Sequence, residues 1–150
     1  MSPPAFIHLN LDWNAEPNAP ELRIEAKGST VRLSFYLNSF AYEAVEGEVG
    51  VLTFHECSRW RWDATNDHAW FAGEGRYAGV APSWGEFYEV LGDEPLIEGQ
   101  DWEVISTGSE RDRHFLFYFR DETIECMASN WTLERREGEG AMTAMGTSAP

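Results

Sequence analysis

The stretch Glu21-Leu22-Arg23-Ile24-Glu25-Ala26-Lys27-Gly28-Ser29-Thr30-Val31-Arg32-Leu33-Ser34-Phe35-Tyr36-Leu37 decides the fold class. Leu22, Ile24 and Ala26 alternate with charged residues, and Val31, Leu33, Phe35 and Leu37 recur at every second position. A period of two puts each set on one face of a strand. Lys27-Gly28-Ser29-Thr30 lies between them as a turn signal, so the segment reads as a β-hairpin. Its register can be argued. A two-residue turn at Lys27-Gly28 opposes Arg23 to Arg32 and demands a positive φ of Lys27. A turn spanning Lys27 to Thr30 opposes Glu25 to Arg32 and Ile24 to Leu33. Both registers keep the apolar face, so charge and turn chemistry select the second.

Residues 115 to 128 repeat the pattern. Phe115, Phe117 and Phe119 alternate along one segment, Ile124, Cys126 and Ala128 along the next, and Asp121 and Glu122 mark the turn. Pairing Arg120 with Thr123 predicts Phe119 opposite Ile124 and Phe117 opposite Cys126. The other face carries Leu116, Tyr118, Arg120, Glu125 and Met127 and is half apolar. A central hairpin covered on both sides is expected. The run Val49 to Trp62 also alternates, with Leu52, Phe54, Trp60 and Trp62 on the expected core face and Thr53, His55, Cys57, Arg59 and Arg61 on the other. It is long for one strand, which predicts a bulge or bend near Glu56 to Ser58.

Further strands are expected over Phe6 to Leu11, Arg76 to Gly79 and Trp102 to Thr107. Ser83 to Gly92 carries a helix-type cap, Ser83 with Glu86, and a helix stop at Gly92. Gly85 and the aromatic, alternating content favour a strand instead. Loops are expected at Asp12 to Pro20, Ala64 to His68, Gly79 to Pro82 and Gly92 to Gln100. The prediction is a mainly β protein: an antiparallel β-sandwich or flattened β-barrel with few or no helices. Residues 1–136 form one domain in this reading, and 137–150 a disordered tail.

The chain has 150 residues, with 26 Asp and Glu against 11 Lys and Arg, a formal net charge of −15. At 43% hydrophobic and 14% aromatic, with seven Trp, it is too apolar to be a disordered acidic chain. The acids therefore decorate a folded surface. A field of this sign repels phosphate backbones and anionic lipid and attracts cationic partners, so neither nucleic acid nor membrane is expected. The N-terminal residues show no basic and then apolar region of the signal-peptide type. Cys57 and Cys126 sit in alternating apolar segments and read as buried free thiols of a reducing, cytoplasmic compartment, with one disulfide between them as the alternative. Exposed strand edges can pair between chains, which leaves a homodimer open.

No phosphate-binding loop, nucleophile elbow, zinc-type cysteine pair or calcium loop is present. No metal or other cofactor is expected. Carboxylate pairs such as Glu86 with Glu89, or Asp63 with Asp67, carry no signal among so many acids. From Tyr77 to Glu110 the chain has eight acids and no Lys or Arg. Within this window Glu89, Asp93, Glu94, Glu98, Asp101 and Glu103, interleaved with aromatics, form a candidate docking face for a basic protein. The leading expectation is thus a non-enzymatic acidic binding protein; immunity or antitoxin-like binding of a basic toxin is one concrete form. The alternative is a small-ligand or carbohydrate module. Its pocket would draw on Arg59, Trp60, Arg61, Trp62, Asn66, Asp67, Trp70, Arg76, Trp84 and Glu86, since indole faces stack sugars and guanidinium forks bind carboxylates. A hydrolase is a third reading, and it needs two carboxylates, or a histidine with a nucleophile, converging in a cleft.

Overall fold

The computed structural model describes residues 4–64, 66–74, 77–78, 80–92 and 101–137. In chain order the elements are β1 (Ala5–His8), β2 (Arg23–Lys27), β3 (Thr30–Tyr36), β4 (Val49–His55), β5 (Arg59–Asp63), α1 (Asp67–Phe71), β6 (Phe87–Leu91), β7 (Glu103–Val104), β8 (Arg113–Tyr118), β9 (Thr123–Ala128) and β10 (Asn130–Arg136). They build two antiparallel sheets, one ordered β1-β6-β8-β9-β5-β7 and the other β10-β4-β3-β2. The sheets stack as a sandwich and do not close into a barrel. No helix among the described residues is long and apolar enough to cross a membrane. Asp93, Glu94, Glu98, Arg76 and the tail from 138 onward lie outside the described residues.

The β2–β3 hairpin has the expected register, with Glu25 opposite Arg32 and Ile24 opposite Leu33. The ladder runs one pair further, to Lys27 and Thr30, so the turn proper is Gly28-Ser29. Gly28 takes a φ of +59°, the conformation that glycine supplies at the first position of such a turn. The β8–β9 hairpin departs from expectation by two residues. Phe117 faces Ile124 and Phe115 faces Cys126, and the Phe119 amide donates to the Glu122 carbonyl, which places the turn at Arg120-Asp121. A slip of two leaves every side chain on its predicted face. The observed register brings His114 to the buried Glu125.

Between the sheets, Val31, Leu33, Phe35, Leu52 and Phe54 pack against Phe87, Phe115, Phe117, Phe119, Ile124 and Cys126. Trp13, from the long loop before β2, is buried among them and stacks on Phe35 with ring centroids 6.0 Å apart. The outer face of the larger sheet is covered as well. There Trp70 of α1, Tyr77, Ala81 and half-buried Trp84 pack on Tyr88, Val90, Leu116 and Tyr118. The central hairpin is therefore covered on both sides.

The break in the Val49–Trp62 run is a corner. The chain leaves one sheet after His55 and enters the other at Arg59, while its neighbour crosses back between Ala128 and Asn130. The first path takes four residue steps where the second takes three, the signature of a β-bulge, with Glu56 at φ +52°. Even-numbered positions face the core on both β4 and β5 as a result. Cys57 and Cys126 are free and buried at this corner, and the Cys57 thiol donates to the Arg59 carbonyl at 3.2 Å. Burial pushes the Cys126 thiol up, while the neighbouring Cys126 thiol lowers that of Cys57.

Three sequence expectations are corrected. Tyr77 and Ala78 form a turn instead of a strand, since the Tyr77 carbonyl accepts from both Val80 and Ala81. The strand expected over Trp102 to Thr107 is only Glu103–Val104, because the Ile105 and Ser106 amides both turn onto the Ser58 carbonyl. Asn66 opens a short helix where a loop was expected, its Oδ1 accepting from the Ala69 amide at 2.9 Å.

Candidate functional site

Strand alternation sends the four candidates of β5 in two directions. Arg59 and Arg61 point to the outer face, Trp60 and Trp62 to the inner. Arg61 is 3% exposed and lies directly across from Glu125 of β9. Its Nε and Nη2 donate to the two Glu125 oxygens at 2.9 and 3.1 Å, and Nη1 donates to Asp101 Oδ1 at 2.9 Å. His114 Nε2 sits 2.7 Å from Glu125 Oε1. Trp102 closes over the group, its ring centroid 4.0 Å from the Arg61 guanidinium carbon and 5.1 Å from that of Arg59. Burial alone pushes the Glu125 carboxyl up. The hydrogen bonds from His114 and Arg61, with their charges, outweigh it and hold the group below its ordinary value. With Glu125 and His114 sealed under Trp102 and Tyr77, the cluster is a structural ion-pair network.

Glu89 does not stand on a free acidic face. It is buried on β6, and Arg113 grips it with Nε and Nη2 at 3.0 and 2.8 Å. A bidentate fork of this kind neutralises the carboxylate locally. Asp101 and Glu103 are exposed. Glu103 pairs with Trp60 across β7 and β5 and makes no ion pair or hydrogen bond among the described residues.

Trp60 and Trp62 face inward, opposite Cys126 and Ile124, yet their fates differ. Trp60 is half-buried against the core, whereas Trp62 is 49% exposed. Ile24 of β2, the edge strand of the smaller sheet, lines the same groove as Trp62. The two indoles, Ile24, Asp101 and Glu103 bound a groove of about 360 Å³. Trp62 is held in place by its indole N–H, which donates to Glu122 Oε2 at 3.1 Å. Residues from both sequence-derived sets thus meet here: two from the acidic window and two from the Trp/Arg pocket. Sequence reasoning did not single out Ile24, His114 or Glu125; the half-apolar outer face carrying Glu125 was the available signal.

The remaining pocket candidates fall elsewhere. Trp70 is buried under Trp84, and Asn66 is spent on capping α1. Asp67, Trp84 and Glu86 line a separate pocket at the end of the sandwich. Among the described residues no three or more His, Cys, Asp and Glu side chains converge as metal ligands. No family model, no curated protein and no solved structure matches this chain.

Proposed function

We propose that this protein is a non-enzymatic binding protein for a cationic protein, and that the Trp60–Trp62 groove receives a basic side chain of that partner. The supporting observation is Trp62, an indole left 49% exposed beside Asp101 and Glu103. An indole face attracts an ammonium or guanidinium group, and neighbouring carboxylates strengthen the attraction. A flat apolar ring also packs the aliphatic stem of Lys or Arg, so charge and area act at one place. The net charge of −15 adds long-range steering toward any basic partner.

The test is capture of partners from the native lysate by the tagged protein at about 50 mM and about 500 mM salt, a span across which exposed charges become screened. Wild type, Trp62→Ala and Glu103→Lys are compared. A basic protein held at low salt, shed at high salt and lost by both variants supports the reading. Capture that is indifferent to both substitutions removes it.

A further inference from the structure

The pocket lined by Glu86, Trp84 and Asp67 has a different chemistry. Glu86, just before β6, is held at one oxygen only: Oε1 accepts from His8 Nε2 at 3.2 Å, Asn10 Nδ2 at 3.0 Å and Asn14 Nδ2 at 3.1 Å. Asn14 Nδ2 also donates to the Gly85 carbonyl at 2.7 Å, and Asn10 Oδ1 accepts from the Phe87 amide at 3.0 Å. The carboxylate is therefore fixed by the loop before β2, while Oε2 takes no hydrogen bond among the described residues. Burial and then the charge of Glu86 push the nearby Tyr42 phenol up, keeping it a protonated donor.

Glu86 lines a pocket of about 430 Å³, within the range of small-molecule sites. Trp84 forms an aromatic wall, backed by Tyr118 with ring centroids 4.7 Å apart and by Trp70 at 6.0 Å. Asn38 contributes its amide: its Oδ1 is occupied by the Phe40 and Ala41 amides, which leaves Nδ2 as the donor. Glu16, Asp67 and Arg120 complete the rim; Glu16 Oε2 is occupied by the Asn18 and Ala19 amides, and Arg120 Nη1 donates to the Asn18 carbonyl at 2.9 Å. An anionic ligand would meet Glu16, Asp67 and Glu86, and a cationic one would meet Arg120. Acceptors and donors set around an indole suit hydroxyl groups, each of which donates once and accepts as well.

We propose that this pocket binds a neutral saccharide, with one pyranose ring against Trp84 and its hydroxyls bonded by Glu86, Asp67, Asn38 and Arg120. The site is separate from the Trp60–Trp62 groove and does not depend on that reading. Uncharged ligand and short hydrogen bonds make this binding insensitive to salt, unlike the docking of a basic protein.

The test follows the Trp84 indole N–H by NMR of the full ¹⁵N-labelled chain during titration with methyl glycosides of glucose, galactose and mannose and with N-acetylglucosamine. Arginine ethyl ester and acetate serve as charged probes. At least one sugar shifts the Trp84 signal saturably, and Arg120→Ala weakens it by about tenfold, the effect of losing one charge-assisted bond. Trp84→Ala abolishes the response of the pocket amides. Because Trp84 also supports Trp70 and Tyr118, the exposed Arg120, whose bond within the fold is to the Asn18 carbonyl, provides the variant that leaves the aromatic packing intact. The proposal is overturned if no sugar moves the signal, if arginine ester binds more tightly than every sugar, or if Arg120→Ala binds as wild type does.

Discussion

Arg61 and Glu125 face each other across β5 and β9 as a bidentate pair, 2.9 and 3.1 Å apart and almost wholly out of solvent. The two partners have no water to fall back on, so removing one is far more damaging than removing both. Glu125→Leu takes from the buried Arg61 its bidentate partner, leaving the Asp101 contact, and takes from His114 its carboxylate, and is expected to lower stability by about 3–5 kcal/mol. Replacing Arg61 and Glu125 together by leucines should recover part of that loss, with His114 still lacking its carboxylate. Urea unfolding of the two single variants and the double variant decides it. A double variant as unstable as the sum of the singles would show that the pair is not a unit.

The same carboxyl sets an acid limit. Its folded value is held below the ordinary one, so the unfolded chain binds the extra proton first. The stabilisation is complete above the ordinary Glu value of about 4.3 and is lost as pH falls through the lower folded value. Wild type should therefore lose stability below about pH 5 more steeply than Glu125→Gln. Unfolding midpoints measured across that range in both proteins check the slope; parallel curves would contradict it.

Trp62 should separate binding from stability. Half of its surface is already in water, so Trp62→Ala is expected to cost only about 1 kcal/mol of folding free energy. As an aromatic anchor it should carry at least about 2 kcal/mol of partner binding, roughly thirtyfold in Kd. Calorimetric titration of the captured partner against wild type and variant gives the second number, and thermal unfolding gives the first. A large loss of stability with unchanged binding would invert the assignment.

Two glycines should fail for different reasons. At Gly28 a methyl group meets nothing within 4 Å, so Gly28→Ala is penalised by its φ of +59° alone, about 1–2 kcal/mol. At Gly50 a methyl group would lie 2.9 Å from both Leu37 Cδ2 and Phe35 Cε2, and overpacking costs about 1–3 kcal/mol. Shortening Leu37 should relieve part of the Gly50→Ala penalty, the Phe35 contact remaining, and leave the effect of Gly28→Ala unchanged. A double-mutant cycle with Leu37→Ala measures the difference.

The β2–β3 register was legible because its determinants are local: the Glu25–Arg32 pairing and one glycine turn. The β8–β9 register was not, because slips of two residues look alike along a strand. What distinguishes them is His114 of β8, which only the observed register brings to within 2.7 Å of the buried Glu125. The bulge at Glu56 to Ser58 was legible from length, but its outcome was not, since the corner carries the chain into another sheet. The strand β10 is not legible, although Trp131 and Leu133 alternate toward the core, because it follows β9 with almost no turn to announce it. Periodicity placed Trp62 on the inner face correctly. Its exposure depends on what the other sheet sets against it, which no local pattern encodes. The Glu86 pocket was glimpsed through Glu86, Trp84 and Asp67, while the amides that fix the carboxylate come from a loop more than 70 residues earlier.

The corner at Glu56 to Ser58 also has a consequence for biosynthesis. Strand β4 is synthesised early, yet its second neighbour is β10, the last strand described. Until residues 130–136 leave the ribosome, one side of β4 is an open row of amides and carbonyls flanked by Val49, Val51, Leu52 and Phe54. Such an edge recruits other strands, including those of neighbouring nascent chains. Completion of the smaller sheet is thereby postponed until residues 130–136 have emerged, and a chain released before Asn130 would be sticky in proportion to how well its first strands had already folded.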